Sequence, residues 1–140
     1  MGVQEEGFWF GELPRGEQNT ICDVPGVLAG HRTLAQGDVQ TGVTAVLPHG
    51  GNLFREKVPA AVHVINGFGK TAGSIQVAEL GTLETPILLT NTLSVGTASA
   101  GLVRHMLAGN PEIGVETGTV NPLVLECNDG WLNDIRGLHV

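Results

Sequence analysis

The sequence predicts a single domain of α+β or layered α/β type, and three observations carry that prediction. The chain has 140 residues, about one domain's worth. Short β-branched or apolar runs, each stopped by Pro, Gly or Asn, alternate with a few helical segments. The 21 glycines sit beside apolar runs without a collagen or linker period, which points to tight turns and close backbone approaches rather than disorder. No repeat or linker divides the chain.

Residues 1–18, with Gly7, Gly11, Pro14 and Gly16, read as a mobile lead-in whose aromatics Phe8, Trp9 and Phe10 dock on something. Residues 19–140 form the domain proper. Val24-Pro25-Gly26-Val27 is a turn between extended pieces. Gly42 to Leu47 is a strand stopped by Pro48, residues 49–57 are a polar loop, and Ala60 to Ile65 is a buried-type strand ending at Asn66-Gly67. Gly73 to Leu80 is a short helix stopped by Gly81. Pro86 to Thr90 is the next strand. Thr97 to Leu107 is the best helix, with Leu102, Val103, Met106 and Leu107 apolar and Gly101 permitting close packing on a sheet. Val120 to Leu125 is a last strand, and Gly130 to Ile135 begins another helix. The chain stops on Leu138-His139-Val140 without a polar tail, an end that asks for docking and so suggests truncation or a partner chain.

Charge and composition exclude several classes of partner. The net charge is −7 and the cations are scattered, so no basic stripe follows a phosphate backbone and no nucleic-acid partner is expected. No apolar stretch reaches the roughly 18 residues that span a bilayer, and the acidic N-terminus lacks the basic region of a signal peptide. Cys22 and Cys127 stand far apart without a CxxC, which suits buried thiols in a reducing cytoplasm better than a disulfide framework.

Most motifs that suggest chemistry fail on their spacing. Gly67-Phe68-Gly69-Lys70-Thr71 follows an apolar run as a phosphate loop would, but Val64 occupies the position of the first glycine. A tight Gly-rich turn near an active site is the better reading. The five histidines show no HxxxH or HxH spacing for a metal. No metal or other cofactor is expected. His63 reads as a core or rim residue, and His49 in Pro48-His49-Gly50-Gly51 as one that could face a pocket. Ser74, Ser94 and Ser99 lie outside GxSxG and lack a His/Asp partner pattern; Ser74 and Ser94 suit helix starts. Cys127 is flanked by acidic residues, a poor setting for a nucleophile. The chain therefore contains no nucleophile with a fitting context.

Two polar clusters at strand ends remain. Thr90-Asn91-Thr92 and Glu126-Cys127-Asn128-Asp129-Gly130 each follow an apolar strand, and strand C-terminal ends in layered folds open onto ligand crevices. Glu126 can hold a substrate ammonium by a charge-assisted hydrogen bond. Asn128 can donate to a developing oxyanion, or Asn128 or Asp129 can simply cap the helix expected after it.

Five segments together are similar, in order, to the N-terminal half of the DmpA-type aminopeptidases, which include L-aminopeptidase/D-esterases and β-peptidyl aminopeptidases. They are Asn19 to Val27, Thr41 to His49, Asn66 to Lys70, Pro86 to Thr92 and Asn121 to Gly130, and the match runs from about Asn19 to Val140. The resemblance implies an αββα sandwich like that of the N-terminal-nucleophile hydrolases, with different connectivity, of which this chain is the N-terminal part. It implies a precursor that cuts itself before a Ser or Thr, which becomes the nucleophile of a smaller β chain. The larger α chain then supplies substrate and oxyanion contacts. By position, Glu126 resembles the glutamate that receives the substrate's free amino group. Asn128 stands where some members have a Tyr implicated in transition-state stabilisation, which makes it the expected oxyanion or orienting residue. Asn66, Asn91 and Thr92 are expected to line the same crevice.

The resemblance further implies a substrate that is a short peptide, amide or ester with a free amine, a C-terminal partner carrying the nucleophile, and homo-oligomers of αβ units. Nothing in the 140 residues resembles the Gly-rich stretch and cleavage site; Asn19-Thr20 and Asn91-Thr92 are formal scissile pairs but fall inside early motifs. The alternative from another class is a non-catalytic, degenerate homologue that binds a small amine or serves in assembly.

Overall fold

A computed structural model describes residues 11–140; Phe8, Trp9 and Phe10 lie outside the described residues. The described chain opens on a capped 3-10 turn at Ile21–Asp23. The Thr20 hydroxyl accepts from the Cys22 N–H at 3.3 Å while the Asp23 carboxylate accepts from the Thr20 N–H at 3.0 Å, the reciprocal arrangement of a capping box. The expected turn follows, with the Val27 N–H on the Val24 carbonyl at 3.1 Å and Gly26 at φ 88°, a type II pattern with Pro25 before it.

Strands β1 (Leu28–Gln36) and β2 (Val39–Leu47) form an antiparallel hairpin. The short strand β3 (Val58–Pro59) and helix α1 (Ser74–Leu80) come next, then β4 (Thr82–Leu83), which pairs with β3. Strand β5 (Ile87–Asn91), helix α2 (Val95–Gly109) and strand β6 (Leu123–Cys127) complete the fold. The main sheet has the order β1-β2-β5-β6. Only β5 and β6 run parallel, and α2 supplies the long connection that parallel neighbours need. The α+β class expected from the sequence is the one observed.

Alternation along the strands separates two cores. Leu88 and Val124 point to one face, where Val95, Ala98, Leu102 and Met106 of α2 cover them. Those four α2 residues recur at helical spacing and make one apolar stripe. Ile87, Leu123 and Leu125 point to the other face and meet Val77 of α1, Val58 and Leu83. α1 and the β3–β4 pair thus lie across the sheet from α2. Val124 and Val77 are almost wholly buried, and each would cost about 2 kcal/mol as alanine from lost transfer energy and residual cavity.

Several local expectations are corrected. Ala60 to Ile65 is not a strand: pairing stops at Pro59, and His63, Val64 and Ile65 are exposed. Beyond Pro59 this segment has no strand neighbour among the described residues, so its β-branched composition finds no ladder to join. β1 has no apolar alternation in sequence and is almost entirely exposed, yet the turn at Gly37-Asp38 and the register with β2 hold it. Gly130 to Ile135 forms no α-helix. The Leu132 and Asn133 N–H groups donate to the Asp129 carbonyl at 2.8 and 2.9 Å, and a 3-10 turn follows at Ile135–Gly137.

Gly101 does not serve a close approach, since a Cβ there would meet open space. Gly73 does: it sits at φ 80° with its missing Cβ directed at the Pro122 carbonyl, which lets the start of α1 lie against β6. Both cysteines are free but exposed rather than buried. Among the described residues no helix is long and apolar enough to cross a membrane.

Candidate functional site

The parallel pair β5–β6 brings its two polar ends together. In register, Thr90 faces Glu126 and Asn91 faces Cys127, so the turn Thr92–Ser94 after β5 lies beside the last residues of β6. Glu126 is the centre of this end. Its Oε1 accepts the Lys70 backbone N–H at 3.0 Å, and its Oε2 accepts a short hydrogen bond from the Thr92 hydroxyl. The Gly69 backbone lies close enough that a Cβ there would approach Oε1 at 3.4 Å. Glu126 is half-buried, and its side chain takes part in none of the ion pairs among the described residues. A carboxylate offers about four lone-pair sites. Two neutral donors therefore fix its orientation and leave about half its acceptor capacity for a ligand.

The other expected residues divide. Thr92 is buried and touches Glu126 directly. Asn66 enters through the Gly-rich loop: its Oδ1 accepts the Phe68 N–H at 3.1 Å, shaping the turn that delivers the Lys70 N–H. Asn91 is buried and turned to structural partners. It accepts from the Ser94 N–H at 3.0 Å and donates to the Thr41 hydroxyl at 2.8 Å, tying β5 to β2 and to the start of α2. Asn128 is exposed, and its Oδ1 accepts the Gly130 N–H at 3.0 Å, which closes the local turn.

The hydroxyl and imidazole groups set aside from the sequence have structural surroundings. Ser74 shares a hydrogen bond with Thr71 at 2.8 Å. Ser94 precedes α2 without capping it, and its buried hydroxyl has no hydrogen-bond partner among the described residues. His49 staples the 49–56 loop: the Gly51 N–H donates to Nδ1 at 3.0 Å, so Nε2 carries the proton and donates to the Glu56 carbonyl at 2.8 Å. No group of metal-ligating side chains gathers among the described residues.

Two features of this region had no place in the sequence argument. The Lys70 N–H is a partner of Glu126 from 56 positions away, and the only signal for it was the Gly67–Gly69 turn. Trp131, 99% exposed, presents its indole three residues after Asn128. The segment behind it is anchored to the hairpin tip, with the Gln40 N–H on Asn133 at 3.1 Å and the Asp134 N–H on the Asp38 carbonyl at 2.9 Å. A separate cavity of about 320 Å³, lined by His31, Thr44, Leu89, Asn91 and Cys127 among others, opens on the uncovered part of the sheet.

Comparison with known proteins is consistent across sequence and structure. The profile of peptidase family S58 matches residues 19–140. The beta-peptidyl aminopeptidase BapA of Sphingosinicella microcystinivorans is 36% identical over 134 residues, covering 89% of this chain and 33% of that protein. The crystal structure of the PH0078 protein from Pyrococcus horikoshii OT3 matches with a TM-score of 0.93 at 56% identity, covering 100% of this chain and 42% of that one. The L-aminopeptidase D-Ala-esterase/amidase from Ochrobactrum anthropi, described as a variant of the Ntn hydrolase fold, matches with a TM-score of 0.82 at 31% identity, covering 99% and 40%. The chain spans about a third of the length of the curated relative, and its architecture is that of part of the Ochrobactrum fold.

Proposed function

Since the chain belongs to peptidase family S58, we propose that it is the α-chain portion of a self-processing aminopeptidase or amidohydrolase that releases N-terminal residues from short peptides, amides or esters. One observation carries this reading. Glu126 is a carboxylate held by two neutral donors at a strand end, half-buried, with acceptor capacity left over. Such a group receives a substrate's free ammonium through charge-assisted hydrogen bonds, and so measures one residue from the substrate's N-terminus.

In this reading the Ser or Thr nucleophile belongs to a C-terminal part, and no serine described above has a base beside it. The Lys70 N–H and the Thr92 hydroxyl hold the Glu126 carboxylate in one orientation, so the ammonium, and with it the scissile carbonyl, is presented to the nucleophile at a fixed distance. Asn128 supplies an amide donor near the developing oxyanion or orients the group that does. Asn66 and Asn91 build the walls, the first by shaping the Lys70 turn and the second by fixing the β5 end. Assembly as several αβ units in the cytoplasm completes the proposal.

The test is the complete enzyme's dependence on the free amine. Wild type should hydrolyse aminoacyl amides and reject their N-acetyl forms, and Glu126→Gln should raise KM for the free-amine substrates by 10-fold or more, about 1.4 kcal/mol. An unchanged KM overturns the role of Glu126.

A further inference from the structure

The loop that steadies Glu126 also carries an apolar surface that the amine-binding role leaves unexplained. Val64, Ile65 and Phe68 are 66, 91 and 80% exposed. Three large apolar side chains within five residues, all facing solvent, form the kind of patch that marks a binding surface. The segment holding them has no ladder, so nothing in the sheet requires their composition.

Phe68 is nevertheless held in place. Its N–H donates to Asn66 Oδ1 at 3.1 Å. Its carbonyl accepts from Lys70 Nζ at 3.1 Å, and the same ammonium stands 4.0 Å from the centre of its ring, a cation–π contact. One ring face is thus occupied by the cation and the other is presented outward.

Position links this ring to the amine. The Gly69 backbone lies against Glu126 Oε1, the Lys70 N–H is bonded to it, and the Phe68 Cα is one peptide, about 3.8 Å, from that of Gly69. A substrate's first side chain branches from the atom that bears its ammonium. With the ammonium on Glu126, that side chain begins within reach of Phe68 and of the Lys70 cation. Resting on the reading of Glu126 as amine receptor, we propose that Phe68 and Lys70 set the specificity for the substrate's first residue. The ring accepts an apolar side chain, and the ammonium repels a basic one.

The test is titration of the whole chain with phenylalaninamide, glycinamide and lysinamide, followed by amide chemical shifts. Phenylalaninamide is expected to bind about 10-fold tighter than glycinamide, and lysinamide no tighter than glycinamide. Phe68→Ala should bring the phenylalanine preference to within two-fold, and Phe68→Leu should keep most of it. Lys70→Ala should improve lysinamide several-fold; that variant keeps its backbone N–H on Glu126. A phenylalanine preference that survives Phe68→Ala, or is absent in wild type, overturns the inference. Glu126→Gln separates it from the reading beneath: equal weakening of all three amides keeps the amine site whatever Phe68 does. No weakening of any, or no saturable binding of any in wild type, removes the amine site and this inference with it.

Discussion

Strands β5 and β6 carry a glutamate at each end, and the two are held in opposite ways. Glu84, three residues before β5, is buried with its side chain 8% exposed. Lys57 Nζ reaches its Oε2 at 2.5 Å, while the N–H and the side-chain amide of Asn121 donate to its Oε1 at 2.8 and 3.0 Å. The next residue, Thr85, is fully buried and accepts the Leu123 N–H at 3.2 Å. This end is a clamp that sets the register of the parallel pair with every acceptor engaged. Glu126, at the outgoing end, has two neutral donors and no ion-pair partner among the described residues. If Glu126 is the proposed amine receptor, a cation there would fill the place of the substrate's amine; the absence of one at Glu84 would leave a buried charge uncompensated. On the proposed reading, the same side chain is structure at one end and recognition at the other because of what surrounds it.

The sharpest break in this comparison comes from removing each carboxylate. Glu84→Ala should destabilise the fold by about 3 kcal/mol, since it removes the buried acceptor of both Asn121 donors and strands the Lys57 ammonium; urea unfolding measures this. Glu126→Gln should cost less than about 1 kcal/mol in the same experiment while weakening amine binding by about 2 kcal/mol. If Glu126→Gln proves the more destabilising of the two, the division between clamp and receptor fails.

Acid sharpens the contrast. Burial pushes the Glu84 carboxyl up, but the Lys57 hydrogen bond, the two Asn121 donors and the Lys57 charge outweigh it, and it ends below its ordinary 4.5. A depressed carboxyl contributes stability above its unfolded value and loses it as pH falls through the folded one. Unfolding free energy should therefore decline as pH falls below about 4.5, toward the folded-state pKa. Asp23, held low by the Gln18 and Thr20 N–H groups, adds to the decline, as does Asp134 beside Arg136. In Glu84→Gln the decline should be shallower, because the group whose charged form the fold favours is gone. An equal slope in the two proteins would show that Lys57 and Asn121 do not stabilise the charged form.

Which of these features the sequence disclosed follows from the range of the forces involved. Strands β2, β5 and β6 and both helices announce themselves through apolar runs and their stops, because burial of one face is written locally. β1 does not, since its stability comes from the turn and from pairing rather than from an apolar face. Ala60 to Ile65 deceives for the converse reason: its composition suits a strand, but beyond the bond from the Ala60 N–H to the Gly81 carbonyl no ladder among the described residues continues along it. Glu126 was legible as a candidate because a carboxylate after an apolar strand is a local pattern, and the likeness to the DmpA-type aminopeptidases reinforced it. Glu84 was not, because Lys57 lies 27 positions before it and Asn121 lies 37 after, and only the folded sheet brings them together. Gly101 shows the limit of residue-type reasoning, since a small residue in a helix suggested a close approach where the structure leaves room for a side chain.

The smallest expected effect tests how Glu126 is kept ready. The Thr92 hydroxyl donates to its Oε2, and Thr92 is itself 9% exposed, so Thr92→Val removes the donor while keeping the volume. The carboxylate then retains the Lys70 N–H but gains freedom to rotate about it. Loss of one orienting hydrogen bond is worth about 1 kcal/mol, so amine affinity should fall about 5-fold with little change in unfolding free energy. Thr92→Ser restores the donor and should restore affinity, even though it loses a buried methyl and some stability. If Thr92→Val binds as well as wild type, or Thr92→Ser binds no better than Thr92→Val, Thr92 packs rather than orients. The Lys70 N–H alone then positions the receptor.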